Sequence, residues 1–142
     1  MSEKIEFVLD GETVYAEKGQ SIWEVANGRG IKIPHLCHKP KPGYRPDGNC
    51  RACMVEIEGE RTLAASCIRE PQPGMVVNSA TQRAEAASKM VVEMLVTDQP
   101  QREVAHDKSS HFWDMVELND VHESRLPRLE QDRVPILDDS HV

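Results

Sequence analysis

Residues 37–53 read CHKPKPGYRPDGNCRAC, and they contain three of the four cysteines in a chain of 142 residues. Cys50 and Cys53 form a C-x2-C pair, whereas twelve residues rich in proline and glycine separate Cys37 from that pair. Cys67 follows after thirteen more residues and completes the pattern C-x12-C-x2-C-x13-C. The chemistry that suits this spacing determines how the rest of the chain is interpreted.

Two of the possible uses of four cysteines are disulfide bonds and a zinc site. The N-terminus has no basic segment followed by an apolar block, so we expect a cytoplasmic protein, and disulfides rarely persist in the cytoplasm. Structural zinc sites with four cysteines usually have two C-x2-C pairs, and this chain has one. Both uses remain alternatives at this point.

The spacing favours a third use, an iron–sulfur cluster. A [2Fe–2S] cluster takes four thiolates, two at each iron, and needs a loop that wraps around it. Gly43 and Gly48 allow the backbone to approach a cluster closely, and three prolines between Cys37 and Cys50 restrict the loop. A Rieske-type site would use His35 and His38, but no later C-x2-H pair exists, and a [4Fe–4S] cluster typically shows a denser run of cysteines.

Composition excludes several other classes of function. The formal net charge is −7 and there is no run of lysine and arginine, which argues against binding to nucleic acid. The longest apolar stretch, around residues 90–96, is interrupted by Glu93 and is too short to span a membrane. No nucleophile–base pair or phosphate-binding glycine loop is present, so we expect no catalytic site in this chain.

The first 79 residues predict an α+β fold in which one helix lies across a mixed sheet. Ser21 and Glu24 form a capping box, so a helix should begin there and end near Gly28 or Gly30. Alternating or β-branched segments bounded by turn residues predict the strands. These strands are 5–9, 13–16, 31–33, 54–58, 61–65 and 75–77.

The second part of the chain has helical periodicity. A helix should run from Thr81 to about Asp98, and a weaker one from Ser109 or Ser110 to about Asn119. The residues expected on the buried face of the first of these helices are Ala84, Ala87, Val91, Met94 and Leu95. The chain is thus divided into a domain over 1–79, a helical extension over 80–123 and an extended or disordered tail over 124–142.

A few further side chains have types that often carry function. They are Trp23, Tyr44, Arg45, His106, His111, Phe112 and Trp113. The pattern favours core packing for the first tryptophan, ordinary loop positions for Tyr44 and Arg45, and a solvated linker for the two histidines. Phe112 and Trp113 suit either a docking anchor or packing onto the domain formed by the first 79 residues of this chain.

The segments IPHLCHKP (33–40) and DGNCRACMVEIEGERTLAASCIREPQPGMVV (47–77) resemble the N-terminal [2Fe–2S] ferredoxin domain of three related subunits. These are the large iron–sulfur subunit of respiratory complex I, the diaphorase-side subunit of NAD-reducing hydrogenases, and the α subunit of NAD-dependent molybdenum or tungsten formate dehydrogenases. The resemblance covers about residues 3–97. It implies a β-grasp fold, a one-electron carrier, and cluster ligands at Cys37, Cys50, Cys53 and Cys67.

The region after Pro100 distinguishes among these three families. In the complex I and hydrogenase subunits a motif H-x3-C-x2-C-x5-C follows the domain and binds a [4Fe–4S] cluster, but residues 98–142 contain no cysteine. This region is instead similar to the linker of the formate dehydrogenase α subunit. The resemblance implies partner subunits that contain molybdopterin or an NAD-binding flavin site, with this chain either a fragment or a small separate subunit. A hydrogenase or other diaphorase-linked complex, and a zinc-stabilised adaptor without redox function, remain the alternatives.

Overall fold

A five-stranded mixed sheet is the centre of the computed structural model, which describes residues 3–128. The strands are β1 (Ile5–Leu9), β2 (Glu12–Ala16), β3 (Met54–Ile57), β4 (Ala64–Ala65) and β5 (Val76–Asn78). Their order in the sheet is β2-β1-β5-β3-β4, with β1 and β5 parallel and the other neighbours antiparallel. The α+β class and the mixed sheet predicted from the sequence are thus confirmed.

The β1–β2 hairpin follows directly from its sequence. Asp10 and Gly11 both have positive φ, 51° and 83°, which matches the right-handed twist of the two strands at a two-residue turn. Phe7, Leu9 and Val14 alternate with more exposed neighbours and are almost completely buried. The hairpin therefore presents one apolar face to the core.

Helix α1 (Ile22–Gly28) covers that core and begins at the predicted capping box. The backbone N–H of Glu24 donates to the Ser21 hydroxyl at 3.2 Å, and the N–H of Ser21 donates to the Glu24 carboxylate at 2.7 Å. The first turns of the helix bury Ile22, Trp23 and Val25. The capping box thus fixes which side of α1 meets the sheet.

The predicted strand over 31–33 is wrong, and the predicted strand over 61–65 is reduced to Ala64–Ala65. The N–H of Ile31 donates to the carbonyl of Ala26, and the carbonyl of Ile33 accepts the indole N–H of Trp23 at 3.1 Å. These backbone groups therefore complete the end of α1 and do not join the sheet. In the part of the predicted strand that does not form, the backbone carbonyl oxygen of Arg61 accepts a hydrogen bond from the guanidinium of Arg83.

Two further α-helices follow the sheet, at the positions that the sequence predicts. Helix α2 spans Gln82–Asp98 with Thr81 as its N-cap, and helix α3 spans His111–Leu118 with Ser110 at its N-terminus. A short 3₁₀ helix, Arg102–Val104, lies between them and was not predicted. None of the helices within residues 3–128 is both long and apolar enough to cross a membrane.

The buried face of α2 includes Ala84, as predicted, but otherwise differs from the predicted one. Its buried residues are Ala84, Ser88, Val92, Glu93 and Thr97. Met94, which was predicted to be buried, is 47% exposed. The buried polar groups have partners that follow α2 in the chain: the Ser88 hydroxyl donates to the side-chain carbonyl of Asn119 at 2.9 Å, and the Thr97 hydroxyl lies 2.8 Å from that of Ser124. Hydrogen bonds to residues that are distant in the sequence thus explain why polar side chains are buried on this face of α2.

Glu93 anchors the segment after α3 to α2. Its side chain is only 3% exposed, and its two oxygens accept the Nε and Nη2 protons of Arg125, both at 2.9 Å. The side-chain hydrogen bonds from Arg125 lower the pKa of Glu93 from 4.5 to about 2. This stabilisation is therefore complete above pH 4.5 and is lost as the pH falls toward 2. Residues 124–128 of the predicted tail form no helix or strand, and residues 129–142 lie outside the described part of the chain.

A second cluster of buried residues lies between α2 and α3 and includes Val92, Trp113 and Val116. Trp113 is 7% exposed and packs in this second cluster, outside the core of the domain over residues 1–79, so its predicted packing onto that domain is not observed. The first residues of α3 also reach the segment before Cys37, where the His111 Nε2 donates to the carbonyl oxygen of His35 at 2.6 Å. His111 therefore does not belong to a merely solvated linker.

Trp23 connects the two parts of the chain that carry cysteines. Its backbone N–H donates to the carbonyl of Ser66, next to Cys67, at 3.0 Å. Its indole N–H donates to the carbonyl of Ile33 at 3.1 Å, four residues before Cys37. One helical residue thus holds both segments, and the core position predicted for Trp23 is confirmed with this additional role.

Replacement of Trp23 by Phe should lower the free energy of unfolding by about 1–3 kcal/mol beyond the effect of lost volume, because the buried carbonyl of Ile33 loses its donor. The measurement is the urea midpoint of the holoprotein, handled without oxygen. Trp113→Phe is the matched control, since it removes a similar volume from the second core. Equal losses in the two variants would show that the indole hydrogen bond contributes nothing.

Candidate iron–sulfur site

Two segments of the chain bring the four cysteines together. The long loop between α1 and β3 carries Cys37, Cys50 and Cys53, and the turn after β4 carries Cys67. Cys53 and Cys67 are each 1% exposed, whereas Cys37 and Cys50 are partly exposed. None of the four is in a disulfide bond. The site therefore has one end in the protein interior and one end near solvent.

Cys37 and Cys50 form the pair at the solvent end. The backbone N–H groups of Cys37 and Ala52 point at the Cys50 sulfur, at 3.4 and 3.5 Å. Burial raises the pKa of Cys37, but hydrogen bonds with Cys50 and with the backbone of Asn49 outweigh it, and the net effect is a lowered pKa. Donors directed at sulfur stabilise the thiolate, which is the form that binds metal.

Cys53 and Cys67 form the buried pair. The antiparallel register places Met54 opposite Ala65, and both the N–H and the hydroxyl of Ser66 donate to the Cys53 carbonyl, at 3.1 and 2.6 Å. The hydrogen bond from the Cys67 side chain lowers the pKa of Cys53 to about 6. The same bond, together with burial, raises the pKa of Cys67. The two thiols thus interact directly, and metal binding to such a pair requires their deprotonation.

The arrangement in two pairs indicates what the site can bind. Within residues 3–128, no set of three or more His, Cys, Asp or Glu side chains is arranged to hold a single metal ion. Tetrahedral zinc requires four ligands around one point, whereas a two-iron cluster takes two thiolates at each iron. Two adjacent pairs of thiols therefore fit the two-iron cluster.

Gly48 lies where the loop over residues 37–53, called the cluster loop below, packs against the segment that carries Cys67. Its φ is +66°, and a Cβ at this position would lie 2.6 Å from the Cδ1 of Ile68. Gly43 has a similar φ of +85° but no atom within 4 Å of the place that its Cβ would take. Of these two glycines, only Gly48 thus combines a left-handed backbone with a close neighbour, which is the end of the Ile68 side chain.

The two histidines beside Cys37 lie in different environments. The His35 Nδ1 lies 3.0 Å from the carbonyl oxygen of His38, and its ring lies 4.5 Å from that of His111. Burial lowers the pKa of His35. His38 is 5% exposed with its ring against Trp23, and within the described residues neither ring nitrogen has a hydrogen-bond partner. A buried donor without an acceptor next to Cys37 fits a site whose bound group offers sulfur acceptors.

Sequence reasoning found the four cysteines but missed the residues that position them. The side chains of Ser66 and Trp23 donate to backbone carbonyl oxygens, and His111 acts through a contact 76 residues away; none of these residues belongs to a motif. The one usable signal was the position of Ser66, directly before Cys67 and opposite Cys53 in the predicted hairpin. His106, in contrast, has no part in the site as the structure describes it.

Comparison with known protein families gives a match over residues 2–82 to the 2Fe-2S iron-sulfur cluster binding domain. This range includes all four cysteines, both elements of the β1–β2 hairpin, and α1. It covers more than half of the chain.

Curated relatives are parts of larger oxidoreductases. The chain is 38% identical over 97 residues to the mitochondrial 78 kDa subunit of NADH-ubiquinone oxidoreductase from Candida albicans, and 33% identical over 96 residues to the mitochondrial iron-sulfur protein 1 of NADH dehydrogenase [ubiquinone] from Solanum tuberosum. It is 35% identical over 95 residues to subunit HndD of the NADP-reducing hydrogenase from Solidesulfovibrio fructosivorans. Each match covers 65–68% of this chain and only 13–16% of the relative.

A solved structure of an NAD+-reducing [NiFe]-hydrogenase in its H2-reduced state resembles this chain over a longer range. The match has a TM-score of 0.76 and 26% identity, and it covers 92% of this chain and 55% of the hydrogenase chain. The similarity thus extends past the family match into the helical part. The chain belongs to the family of 2Fe-2S iron–sulfur cluster binding domains, and its cofactor is a [2Fe–2S] cluster.

Proposed function

We propose that Cys37, Cys50, Cys53 and Cys67 are the four ligands of this cluster and that the chain is a one-electron carrier. The observation that supports this most strongly is the arrangement of the thiols in two pairs, Cys37 with Cys50 and Cys53 with Cys67. Each pair supplies the two thiolates that one iron needs. The bound cluster supplies reversible one-electron chemistry.

The chain's own residues would hold this charge and shield it. N–H groups of Cys37 and Ala52 donate to the Cys50 sulfur, so they stabilise negative charge at the solvent end. The other pair lies against the apolar core, where Ala52, Val55 and Ala65 exclude water. Among the described residues, no side chain near the site is placed to activate a substrate, and the proposed role is electron transfer alone.

We also propose that the sheet and α1 form a β-grasp unit. The strand order β2-β1-β5-β3-β4, with parallel β1 and β5 at its centre, supports this arrangement. The helical extension from residue 80 would then be an addition to that unit, joined to it through α2 and through the contact of His111 with His35.

At the level of the complex, we propose an oxidoreductase of the formate dehydrogenase type that reduces NAD+. The absence of cysteine from residues 98–142 supports this choice, because the resemblance to the formate dehydrogenase linker lies in that cysteine-free region. The proposed partners are a molybdopterin-containing subunit and an NAD-binding flavin subunit. A hydrogenase-type complex is the second candidate, and the structural similarity over 92% of the chain favours it.

Replacement of Cys50 by Ser should abolish the visible colour of anaerobically purified protein, because one thiolate and two N–H···S bonds are lost. The measurements are the iron content per chain and the visible absorbance that dithionite bleaches. Asn49→Ser, which changes the exposed neighbour and leaves all four thiols, is the matched control and should keep about two irons per chain. A colourless wild-type protein with one zinc per chain would instead support the adaptor alternative.

Replacement of Gly48 by Ala should lower cluster retention more than Gly43→Ala does. Both changes place a side chain at positive φ, which costs about 1–2 kcal/mol, but only Gly48→Ala meets Ile68. The measurement is the rate at which visible absorbance is lost in the presence of an iron chelator. The double variant G48A/I68A should return to the rate of G43A, and indistinguishable rates for the two single variants would show that Ile68 simply moves aside.

The native complex distinguishes formate from hydrogen as the electron source. If the chain is affinity-tagged in its own host and isolated with its partners, formate should produce the electron paramagnetic resonance signal of the reduced two-iron cluster, and hydrogen should not. NADH added to a matched sample is the control, since it would reduce the cluster through a flavin subunit in either complex. Reduction by hydrogen alone would replace the formate assignment with the hydrogenase one.

A further inference from the structure

The loop that carries three of the cysteines has the opposite charge to the rest of the chain. Residues 37–53 contain four cations and one carboxylate, Asp47, whereas the formal charge of the whole chain is −7. We call these four cations, all of which are exposed, the cationic rim: Lys39, Lys41, Arg45 and Arg51. A local field of this sign in an acidic protein attracts anionic groups to the loop that carries it.

The cationic rim is only partly neutralised within the described residues. Arg45 pairs with Asp47 at 3.2 Å, and the Arg45 side chain is still 90% exposed. The ammonium of Lys39 lies 5.8 Å from the ring centre of Tyr44, which is itself 61% exposed. An exposed aromatic side chain thus lies beside one cation of the rim, and tyrosine and arginine are common anchors of protein interfaces.

The backbone of Arg51 provides an independent observation. Its φ is +60°, a left-handed conformation that the described part of the chain otherwise uses only at glycines and at Asp10 and Asp120. This conformation has a local cause, because Arg51 lies in the C-x2-C pair, where the N–H of Ala52 points at the Cys50 sulfur. Glycine would adopt it without strain. An arginine kept at such a position suggests a role for its exposed guanidinium.

The cationic rim also lies at the end of the site that is nearest to solvent. Cys37 and Cys50 are partly exposed, whereas Cys53 and Cys67 are buried. Lys39 is two residues from Cys37, and Arg51 directly follows Cys50. An electron that leaves or enters the cluster crosses the least protein at this end.

We propose that the face formed by the cationic rim and Tyr44 is the electron-exchange face of this chain and that it docks a protein partner through carboxylates. The inference rests on the proposed function, because it requires a cluster at the four cysteines. One electron passes from the reduced cluster to a one-electron acceptor in the partner, with no bond or proton transferred. A nucleic acid is a poorer occupant, because its phosphates would extend past this small face to the acidic remainder of the chain.

The sign of the local charge can be measured before any partner is identified. The full-length chain, with its cluster reduced by dithionite and the excess removed, is mixed with ferricyanide in a stopped-flow instrument at increasing salt. The rate should fall as salt rises, although a net charge of −7 alone predicts a rise. Tris(phenanthroline)cobalt(III), a cationic oxidant, should show the opposite trend. A ferricyanide rate that rises with salt would overturn the proposal.

Variants separate docking from a merely structural role. Lys41→Glu should slow the ferricyanide reaction about threefold at low salt, if four charges together give a roughly tenfold effect. Arg51→Gly removes one charge and also the backbone strain, so it should slow the reaction about twofold while thermal stability stays equal or rises. Lys89→Glu on α2 is the control for total charge and should have little effect. Wild-type kinetics in both rim variants would contradict the proposal.

Two further measurements complete the test. Poly-L-glutamate, used as a probe for a carboxylate-bearing surface, should slow the oxidation of wild-type protein and have less effect on K41E. If the rim only offset the negative charge of the cluster, the variants would shift the reduction potential and their rates would follow that shift, which would overturn the proposal. A protein with no reducible cluster would instead refute the proposed function, and that outcome is visible in the absorbance before any kinetics.

Discussion

The hydrogen bonds of Trp23 are the constraint on which the site depends. Two polypeptide segments must meet for four cysteines to converge, and they are 30 residues apart at Cys37 and Cys67. Trp23 holds one through its backbone N–H and the other through its indole N–H, at 3.0 and 3.1 Å. The capping box fixes the start of α1, and α1 packs on the sheet. Both cysteine-bearing segments are therefore held in place by the core. The loop itself needs little regular structure.

The helical extension serves the same loop from the other side. The polar buried face of α2 binds the end of α3 and the segment after it, through Ser88 with Asn119 and Glu93 with Arg125. This fixes α3, whose residues His111 and Met115 contact the backbone of His35. Hydrogen bonds therefore link the helices to the segment that leads into the cluster loop, although the family match ends at residue 82. The similarity to the solved hydrogenase, which covers 92% of this chain, agrees with one continuous structure.

The sequence predicted those features that depend on near neighbours. The capping box at Ser21, the turn at Asp10 and Gly11, and the start of α2 at Thr81 are all decided within four residues, and all are present. The failures have a common cause in long-range contacts. The segment 31–33 uses its backbone groups for α1, and α2 buries Ser88 and Glu93 because their partners come 31 and 32 residues later. Periodicity counts apolar residues, so it cannot detect a polar face whose partners are distant.

The same distinction applies to function. The cysteine spacing was enough to predict the type of cluster because a two-iron site depends on a small set of ligands and a permissive loop. Any protein partner of the chain would recognise its surface residues, and the relatives that match it over 95–97 residues are a subunit of NADH-ubiquinone oxidoreductase in one case and a subunit of an NADP-reducing hydrogenase in another. Whatever distinguishes these complexes must therefore lie outside the ligands. In this chain the features that remain are the charge of the loop surface and the cysteine-free helical part. In the docking proposed above, the first would select the surface of the partner. The second contacts the segment before Cys37 through His111.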